Sequence, residues 1–486
     1  SDCSSSPPPE KDQKERVGLG WYIIFFLNFI PNLIWTLSYL IWNQLILFGP
    51  TLWISAWLWI FWKCFHVPLN FIKWVLTVLT VPAAERYRKK RTVLISGGST
   101  IQAIHLARNF HSVGARVVVF EVSGYFNLAK FSTSVDKFYT VPHPVGDNVN
   151  QYVAAIKRIV DEEKAVYYVP VSATTTAFYD SLVKPHLELM GCTCFCPGLK
   201  EVCMLDDVFE VLRRCQTEGR ATPLHYPISS IDEINQLYDR GTLSTGRHFM
   251  VNVGTLGCRD RTRIVLPLLK KDFVMKREIS TKRPWVIVKD YPGNHFITCT
   301  TIKESKVVAN VTCQVETTNG GLIPVDHNEI NIWLKQFFAK IRFLRPLSGH
   351  ISFRFVVSSA SGSIVPLGCK VGVSLPYICY TNVHPRIVWR PCRHFNPDTT
   401  GPIISDVGLY WMHQVVLDTL RNLSVQSLTR FVGTVIDNRE ALFVYWDPLP
   451  YIAYYHIQLP INNIIKLLRG NYGINIGGHG FRKVVA

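Results

Sequence analysis

The stretch "RTVLISGGSTIQAIHLARNFHSVGARVVVFE", residues 91–121, reads as an apolar strand, a glycine-containing loop, an amphipathic helix and a second apolar strand. Two strands joined by a helix form a βαβ unit, because a parallel pair needs a crossover of this length. The stretch therefore predicts a parallel sheet covered by helices. The same alternation continues through "AVYYVPVSATTTAFYDSL", residues 165–182, so we assign a βα domain to residues 92–200.

Beyond residue 200 the pattern changes to helices interleaved with longer β segments. The β segments are "RHFMVNVG" (247–254), "PWVIVKDYPGNHFITCTTIKESKVVANVTCQV" (284–315) and "GHISFRFVVSSASGSIVPLGCKVGVSL" (349–375), with a helical stretch "EINIWLKQFFAKIRFL" (329–344) before the last. Apolar alternation bounded by Gly, Pro and Ser turns is typical of antiparallel hairpins. We expect two antiparallel-sheet lobes over residues 201–385 and a C-terminal extension over 386–486. The predicted fold class is α/β plus α+β.

The N-terminal part of the chain has the composition of a membrane segment. Residues 17–62 contain no charged residue, and a helix needs ~20 apolar residues to cross a bilayer. We expect two transmembrane helices there, with a kink at Pro31 and a turn at Gly49-Pro50. A third stretch, residues 67–81, is interrupted by Lys73 and suits a helix at the membrane interface. Together these elements fill residues 17–82.

The flanks of this segment predict its orientation. Residues 1–16 are polar and expected to be disordered, and because the first residue is Ser rather than Met we expect a preceding segment. After the apolar helices comes "ERYRKKR", residues 85–91. Basic clusters beside a membrane helix stay on the cytoplasmic side, so the soluble body is expected to face the cytoplasm.

Charge and cysteine content narrow the class of partner. The chain carries 52 Lys and Arg against 35 Asp and Glu, but the cations are scattered singly and no nucleic-acid-binding motif occurs. Nucleic acid is therefore not an expected partner. The 13 cysteines show no disulfide framework or metal-site spacing, which indicates reduced thiols.

The glycine loop after the first strand is a candidate ligand contact. Gly97, Gly98 and Ser99 precede a helix, where backbone N–H groups can bind an anion. The loop lacks both the G-x-G-x-x-G fingerprint and the lysine of a P-loop, so on its own it is weak evidence for a nucleotide.

The order of elements resembles the ATP-grasp superfamily, and within it the membrane-anchored ATP-grasp ligases of mycosporine biosynthesis. The resembling stretches are the first βα unit, "KFSTSVDKFYTVPHPVGD" (130–147), "YVPVSATTTAFYDSL" (168–182), "MLDD" (204–207), "PWVIVKDYPG" (284–293), "WDPLPYIAYYHIQLP" (446–460) and "GINIG" (473–477). The resemblance implies ATP and Mg2+ as cofactors and a reaction that joins an amine to an acid or enol. It also implies ligand contacts from Asp206, Asp207 and His456.

The positions that would bind the metal are substituted. The family places an Asp, a Glu and an Asn on one hairpin, and matching it without gaps puts Arg354, Leu367 and Cys369 there. No Asp or Glu occurs between Glu329 and Asp398. A guanidinium cannot coordinate Mg2+. Arg354 either neutralises a phosphate directly or pairs with a backbone carbonyl in a repacked pocket.

The nucleotide positions are substituted as well. Asn252 replaces a lysine that contacts the α-phosphate, Val288 and Lys289 replace a Gln-Glu pair that reads adenine, His295 replaces an acid, and Val208 replaces a lysine. These losses fall on ligand-facing positions. They predict that the chain has lost Mg-ATP binding.

Three hypotheses follow for the function. The first is a pseudoenzyme on a membrane, acting through a small-molecule or nucleotide ligand or a partner. The second is an active ligase of the mycosporine-glycine type that forms a C–N bond, with metal ligands from Asp206, Asp207, Asp290 or Glu316. The third is a purely structural membrane protein or a different small-molecule binder.

Overall fold

The structure is a computed structural model of the chain. It describes residues 91–379 except 145–147, 176, 254–261, 274–277, 316–321, 342–344 and 360–361, and then residues 403–404, 419, 422–429, 442–444, 446–459, 461–462 and 465. Before residue 91 it describes scattered helical positions between 30 and 79. Described residues from 59 onward belong to one compact unit, Trp59–Ala486, and Ser1–Leu58 form another. The domain bounds given above stay predictions.

The first part of the described chain is a five-stranded parallel sheet in the order β3-β2-β1-β4-β5. Its strands are β1 Thr92–Ile95, β2 Arg116–Val122, β3 Lys137–Val141, β4 Ala165–Val169 and β5 Thr193–Cys194. The helices of this part are α1 Ile101–Ser112, α2 Val149–Glu163, α3 Ala177–Leu189 and α4 Leu199–Leu205, with a 3-10 turn at Leu128–Phe131. Helix α1 begins where Thr100 accepts a hydrogen bond from the Ala103 N–H, a typical N-cap. The predicted βαβ unit and parallel sheet are confirmed.

Two antiparallel sheets follow. The small sheet has the order β6-β9-β7-β8, and the large sheet has β12-β11-β10-β13-β14 with β15 beside β11 in parallel. The strands are β6 His225–Ile228, β7 His248–Asn252, β8 Arg263–Leu266, β9 Trp285–Lys289, β10 Gly293–Lys303, β11 Lys306–Val315, β12 Leu322–Pro324, β13 Gly349–Ser358, β14 Ile364–Val371 and β15 Ile403–Ile404. The helices are α5 Val208–Thr217, α6 Ile231–Asp239, α7 Asn328–Lys340 and α8 Leu449–Ile452, with 3-10 turns at Leu243–Thr245, Lys270–Asp272 and Leu375–Cys379 and a π-helical turn at Ala453–Gln458. The predicted α/β plus α+β fold class, with antiparallel sheets after the parallel one, is confirmed.

Strands β9 and β10 are neighbours in sequence but lie in different sheets. Strand β9 pairs with β6 and β7, whereas β10 pairs with β11 and β13. The short connection through Tyr291 and Pro292 therefore joins the two sheets. The residues that follow β9 and those that start β10 lie beside the space between them.

Each layer has its own apolar core. On the large sheet, one face of β13 presents Phe353 and Phe355 to helix α7, where they meet the rings of Trp333 and Phe337. On the small sheet, Trp285 and Ile287 pack with α6. The opposite face of each sheet remains available to the other sheet.

A buried histidine makes the large sheet sensitive to acid. His350 is 3% exposed, lies between the rings of Phe195 and Tyr377, and has Nδ1 3.2 Å from the Thr301 hydroxyl. Burial lowers its pKa to about 3. Because the folded-state pKa is below the ordinary value, stability is complete above about pH 6.5 and is lost as the pH falls from there toward 3.

We expect the full chain in detergent to lose ~2 to 3 kcal/mol of unfolding free energy between pH 7 and pH 4.5 through His350. The variant His350→Gln removes this loss, and the exposed His186→Gln is its control. Burial raises the pKa of Asp180 to about 6, so that carboxyl acts in the opposite direction over the same range. Asp180 is present in the wild type, in His350→Gln and in His186→Gln, so its contribution is the same in all three. The unfolding free energy, measured with denaturant at both pH values, therefore differs between the wild type and His350→Gln through His350. An equal pH dependence in His350→Gln contradicts the prediction.

The predicted transmembrane helices lie almost wholly outside the described residues. The described positions there and in the predicted interfacial stretch 67–81 are helical, and many expose large apolar side chains. These include Ile34, Trp35, Trp42, Leu69, Phe71, Trp74 and Leu79. Among the described residues, no helix has both the length and the hydropathy to cross a membrane.

Candidate functional site

The space between the two antiparallel sheets is filled by one apolar cluster, which we call the interlobe cluster. Its members come from helix α5, strands β7 and β9 of the small sheet, the residue after β7, and strands β13 and β14 of the large sheet. They are Val208, Leu212, Phe249, Val251, Val253, Val286, Val288, Val356, Val365 and Leu367. All ten are buried, and Phe209 and Tyr291 pack against them. Hydrocarbon therefore occupies the contact between the sheets.

Three of the predicted ligand positions belong to this cluster. Val208 is 7% exposed, Val288 is 0% and Leu367 is 3%. They come from a helix and from both sheets, so the fold does bring together positions that the sequence placed at one site. None of the three carries a polar group that could hold a nucleotide or a metal ion.

Strand β14 contains a bulge that separates two of the predicted metal positions. Arg354 pairs with Gly368 and Phe355 with Pro366, so Leu367 is the extra residue between them. Leu367 packs in the interlobe cluster, whereas Cys369 lies in the core on the helix α7 side. Burial, together with the nearby Asp206 carboxylate, raises the pKa of the Cys369 thiol. The gapless matching placed both residues at one site, and the structure does not bring them together.

Asn252 and Lys289 have local roles in the small sheet. The Asn252 side-chain carbonyl accepts a hydrogen bond from the Thr262 N–H at 2.6 Å, which fastens the start of β8 to the end of β7. Lys289 follows Val288 and by strand alternation faces the opposite side of β9. Its ammonium lies 5.7 Å from the centroid of the Tyr291 ring, a cation–π distance.

Beside the interlobe cluster lies a group of cations around one acid, which we call the arginine cluster. It consists of Arg247, Arg263, His295, Arg354 and Asp290. The Asp290 carboxylate is 3.5 Å from Arg247 Nε, 3.6 Å from Arg263 Nη2 and 3.8 Å from His295 Nε2. The guanidinium of Arg263 also stacks on Phe249 at 3.8 Å from the ring centroid. The predicted positions Arg354 and His295 therefore meet here.

Burial controls the protonation of this cluster. It lowers the pKa of Arg354, and it lowers the pKa of Arg263 to about 9, helped by the positive charge of Arg354. It also lowers the pKa of His295, with the arginines adding to the effect, so the imidazole is neutral near pH 7. Among the described residues, the cluster thus brings three guanidinium groups near the Asp290 carboxylate, with Arg263 and Arg354 largely buried and Arg247 exposed.

The acids that would serve an active ligase as metal ligands have other roles. Asp207 caps helix α5 by accepting hydrogen bonds from the Phe209 and Glu210 N–H groups at 2.9 and 3.2 Å. Asp206 is buried near Cys369, and Asp290 belongs to the arginine cluster. Glu316 lies outside the described residues. Within the part of the chain that the structure describes, no group of three His, Cys, Asp or Glu side chains is arranged to hold a metal ion.

Backbone N–H groups of the glycine loop already donate hydrogen bonds to acceptors within the protein itself. The Ser99 N–H donates to the buried Glu121 carboxylate at 2.7 Å, and the Gly98 N–H donates to the Phe120 carbonyl at 3.2 Å. Burial raises the pKa of Glu121, against the lowering effect of its hydrogen bonds. A Cβ at Gly98 would lie 2.7 Å from the Phe138 ring, so glycine is required by close packing here. These contacts leave the Gly98 and Ser99 amides, with Gly97 before them, in a structural role.

A C-terminal segment that includes Leu442 and Asp447 packs against the βα domain. The buried Asp447 carboxylate accepts hydrogen bonds from Arg108 Nε at 2.8 Å, the Ser132 hydroxyl at 2.7 Å and the Thr133 N–H at 2.8 Å. Arg108 also donates to the Leu442 and Asp447 carbonyl oxygens, each at 2.8 Å.

The same segment reaches the glycine loop. The Gln458 amide donates to the Ser99 carbonyl oxygen at 3.0 Å. His456 lies on the same π-helical turn as Gln458, with its ring centroid 6.3 Å from that of Tyr451. The predicted contacts Gly97, Gly98, Ser99 and His456 therefore lie in the βα domain and its cover, apart from the interlobe cluster.

Mg-ATP does not fit the residues at the positions that the resemblance assigns to it. Mg2+ needs oxygen ligands, mainly carboxylates, yet those positions hold a cation, a leucine and a thiol that faces another core. The adenine-reading and lysine positions Val288 and Val208 lie in the interlobe cluster.

Two features of the site escaped prediction from the sequence. Arg247 and Arg263 are isolated residues, and no spacing signal links them to Arg354. Asp447 lies inside the resembling stretch "WDPLPYIAYYHIQLP", but nothing in the sequence names Arg108, 339 residues away, as its partner. Both depend on long-range contacts.

No protein-family model matches the chain, and a search of curated proteins finds no match. Solved structures to which it is similar include the N5-carboxyaminoimidazole synthetase from Staphylococcus aureus, at 13% identity and a TM-score of 0.42, over 60% of this chain and 72% of that one. The L-amino acid ligase from Bacillus licheniformis is similar at 12% identity and a TM-score of 0.40, over 60% and 68%. The biotin carboxylase domain of a single-chain bacterial carboxylase is similar at 13% and 0.44, over 64% and 70%. At these identities and scores, nothing about activity or ligands follows for this chain.

Proposed function

We propose that this chain is a membrane-anchored protein of ATP-grasp fold that has lost Mg-ATP-dependent ligase chemistry and acts by binding a ligand or a partner. The observation that carries the proposal is the interlobe cluster. Val208, Val288 and Leu367 stand at positions where the resemblance implies nucleotide and metal contacts. All three are instead buried members of this one apolar cluster.

The energetic argument is one of competition between packing and binding. Fully burying a Val, Leu or Phe side chain is worth ~1.5 to 3 kcal/mol, so exposing four of the ten costs ~6 to 12 kcal/mol. A ligand that binds with micromolar affinity supplies only ~8 kcal/mol. Opening this contact for a nucleotide would therefore consume most of the binding free energy.

The electrostatic argument points the same way. A divalent cation would have to approach three guanidinium groups, with one carboxylate among the described side chains of the arginine cluster. Like charges in a partly desolvated region repel strongly. The cluster favours an anion over a metal ion.

Attachment to a membrane is the second part of the proposal. The described positions before residue 80 expose Trp, Phe, Leu and Ile side chains, which suits contact with lipid. The basic stretch of residues 85–91 supports a cytoplasm-facing body. The test is carbonate extraction followed by protease protection: the protein stays with the membrane, and the body is cleaved from the cytoplasmic side.

Calorimetric titration of the full chain in detergent tests the loss of Mg-ATP binding. We expect no heat that depends on having ATP and Mg2+ together, and no melting-temperature shift when EDTA is exchanged for Mg2+ at fixed ATP. A native-state ligand at 100 times its Kd adds ~2.7 kcal/mol of stability, so true binding is easily seen.

The competing hypothesis makes the opposite prediction. An active ligase of the mycosporine-glycine type binds Mg-ATP tightly, loses that binding in EDTA, and releases phosphate only when an amine substrate is added. Tight ATP binding that is lost in EDTA overturns the pseudoenzyme proposal, and so does phosphate release that depends on an amine substrate.

A further inference from the structure

We propose that Cys313 and Cys379 are a redox-sensitive thiol pair, which a small hydroperoxide such as hydrogen peroxide converts reversibly into a disulfide between strand β11 and the 3-10 turn Leu375–Cys379. The two sulfur atoms are 4.0 Å apart, and either thiol can donate the hydrogen bond that joins them. The residues are 66 positions apart in sequence, so the fold brings them together. The pair requires neither Mg-ATP chemistry nor attachment to a membrane.

The face of the large sheet that carries Cys313 is covered by this turn. In the register of β10 and β11, Cys299 lies opposite Val311, and Cys313 follows two residues later, so Cys299 and Cys313 share one face. The turn packs on β10 and β11 and buries the pair, with Cys313 0% and Cys379 2% exposed. The sulfur atoms need to approach by only ~2 Å to reach the ~2.05 Å of a disulfide bond.

The turn also connects the large sheet to the βα domain. Besides β10 and β11, it packs against helix α1. The Tyr377 hydroxyl accepts a hydrogen bond from Asn109 Nδ2 of that helix at 3.2 Å. Just before the turn, the Val373 N–H donates to the Val171 carbonyl oxygen at 2.9 Å. A disulfide at Cys379 would therefore fasten the βα domain more firmly to the large sheet.

The reaction is a two-electron oxidation. The thiolate of one cysteine attacks an oxygen of hydrogen peroxide, the O–O bond breaks, and a sulfenic acid and water are formed. The second thiol attacks the sulfenic sulfur and displaces its oxygen as a second water molecule. The two cysteines together give up two protons and two electrons, and the peroxide is reduced to two water molecules. A dithiol reductant reverses the change by thiol–disulfide exchange.

Burial determines which reagents reach the pair. The hydrogen bond to Cys379 raises the pKa of the Cys313 thiol, and burial raises it further. Because the thiolate is the nucleophile, the reaction depends on local opening of the short turn. Once a sulfenic acid forms, the neighbouring thiol is close enough to capture it before further oxidation. We therefore expect the pair to react with small peroxides and to be slow with bulky thiol reagents.

The experiment treats the reduced full chain in detergent with hydrogen peroxide, alkylates the remaining thiols in denaturant, and maps the digested peptides by mass spectrometry. The expected result is a linked peptide pair that contains Cys313 and Cys379 and that dithiothreitol separates. The oxidised protein is expected to melt at least ~4 °C higher than the reduced one, because the bond closes a long loop in the unfolded chain. Hydrogen exchange slows in helix α1 and in the turn.

The variant Cys379→Ser is expected to lose the linked peptide, the rise in melting temperature and the slower exchange. Cys299→Ser is the matched control, because Cys299 is also fully buried and lies on the same face of the sheet. It retains all three responses. Cys313→Ser is the second variant should Cys379→Ser fail to fold. Oxidation of methionine is common to all these proteins and cancels in the comparison.

Three outcomes overturn the inference: a linked peptide that forms only in denaturant or not at all, a bond from Cys313 to Cys299 instead, or a rise in melting temperature that persists in both Cys379→Ser and Cys313→Ser. The proposed function fails on a separate result, a response that requires Mg2+ and ATP together.

Discussion

Replacing Asp447 by leucine is expected to lower the free energy of unfolding by ~3 to 5 kcal/mol, because it leaves Arg108 as a buried charge without its acid. Arg108 is 5% exposed and Asp447 is 0% exposed, so water does not take the place of the lost partner. The Ser132 hydroxyl and the Thr133 N–H lose the same acceptor. Denaturant unfolding of the full chain in detergent measures the effect.

The double variant Arg108→Met with Asp447→Leu is the control for this prediction. Removing both charges leaves no unpaired ion, so most of the lost stability is expected to return. Hydrogen exchange of residues 451–458 gives a second measurement: protection falls in the single variant and recovers in the double. If the stability lost in the double variant equals the sum of the losses in the two single variants, Arg108 and Asp447 are not energetically coupled. That result would contradict the prediction.

Replacing Val288 by glutamine, the residue that the family resemblance implies at this position, is expected to cost ~2 to 6 kcal/mol. An amide buried without partners costs ~1 to 3 kcal/mol, and the larger side chain in a filled core adds ~1 to 3 kcal/mol. Val288 is 0% exposed and packs within the interlobe cluster, so the amide has no route to water.

Val288→Ile is the matched control, because it adds volume without a polar group. It is expected to cost ~1 to 3 kcal/mol, so the further loss in Val288→Gln measures the cost of the buried amide. If the space between the sheets were a hydrated nucleotide cleft, Val288→Gln would change stability by no more than ~0.5 kcal/mol, as for an ordinary surface substitution. That result would contradict the interlobe cluster as a closed core.

The local elements could be predicted well, because they depend on periodicity. The stretch of residues 91–121 predicts a strand, a helix and a strand, and the structure has β1, α1 and β2 there. The segment 329–344 predicts a helix, found as Asn328–Lys340. The sheet to which each strand belongs was harder to predict. Strands β9 and β10 form one continuous β segment in the sequence pattern, yet they pair in different sheets. Pairing is decided by which faces share a core, and a single sequence does not display that.

The site could be predicted only in part for the same kind of reason. The substitutions at Val208, Val288 and Leu367 were visible as changes of residue type, and the structure places all three in one cluster. The bulge at Leu367 was not visible, because simple alternation along β14 puts Cys369 on the same face. The convergence of Arg247, Arg263 and Arg354 depends on the approach of strands from both sheets, which no spacing rule encodes.

The pairing of Arg108 with Asp447 also sets an order of events during synthesis. The two residues are 339 positions apart, and chains are elongated at roughly 5 to 20 residues per second, so Arg108 waits roughly 20 to 70 s on the ribosome for its acid. During that interval the βα domain carries an uncompensated cation at the surface that the C-terminal segment later covers. The βα domain emerges before both antiparallel sheets yet is completed only after them, and nascent chains halted before residue 447 should engage chaperones more than released ones.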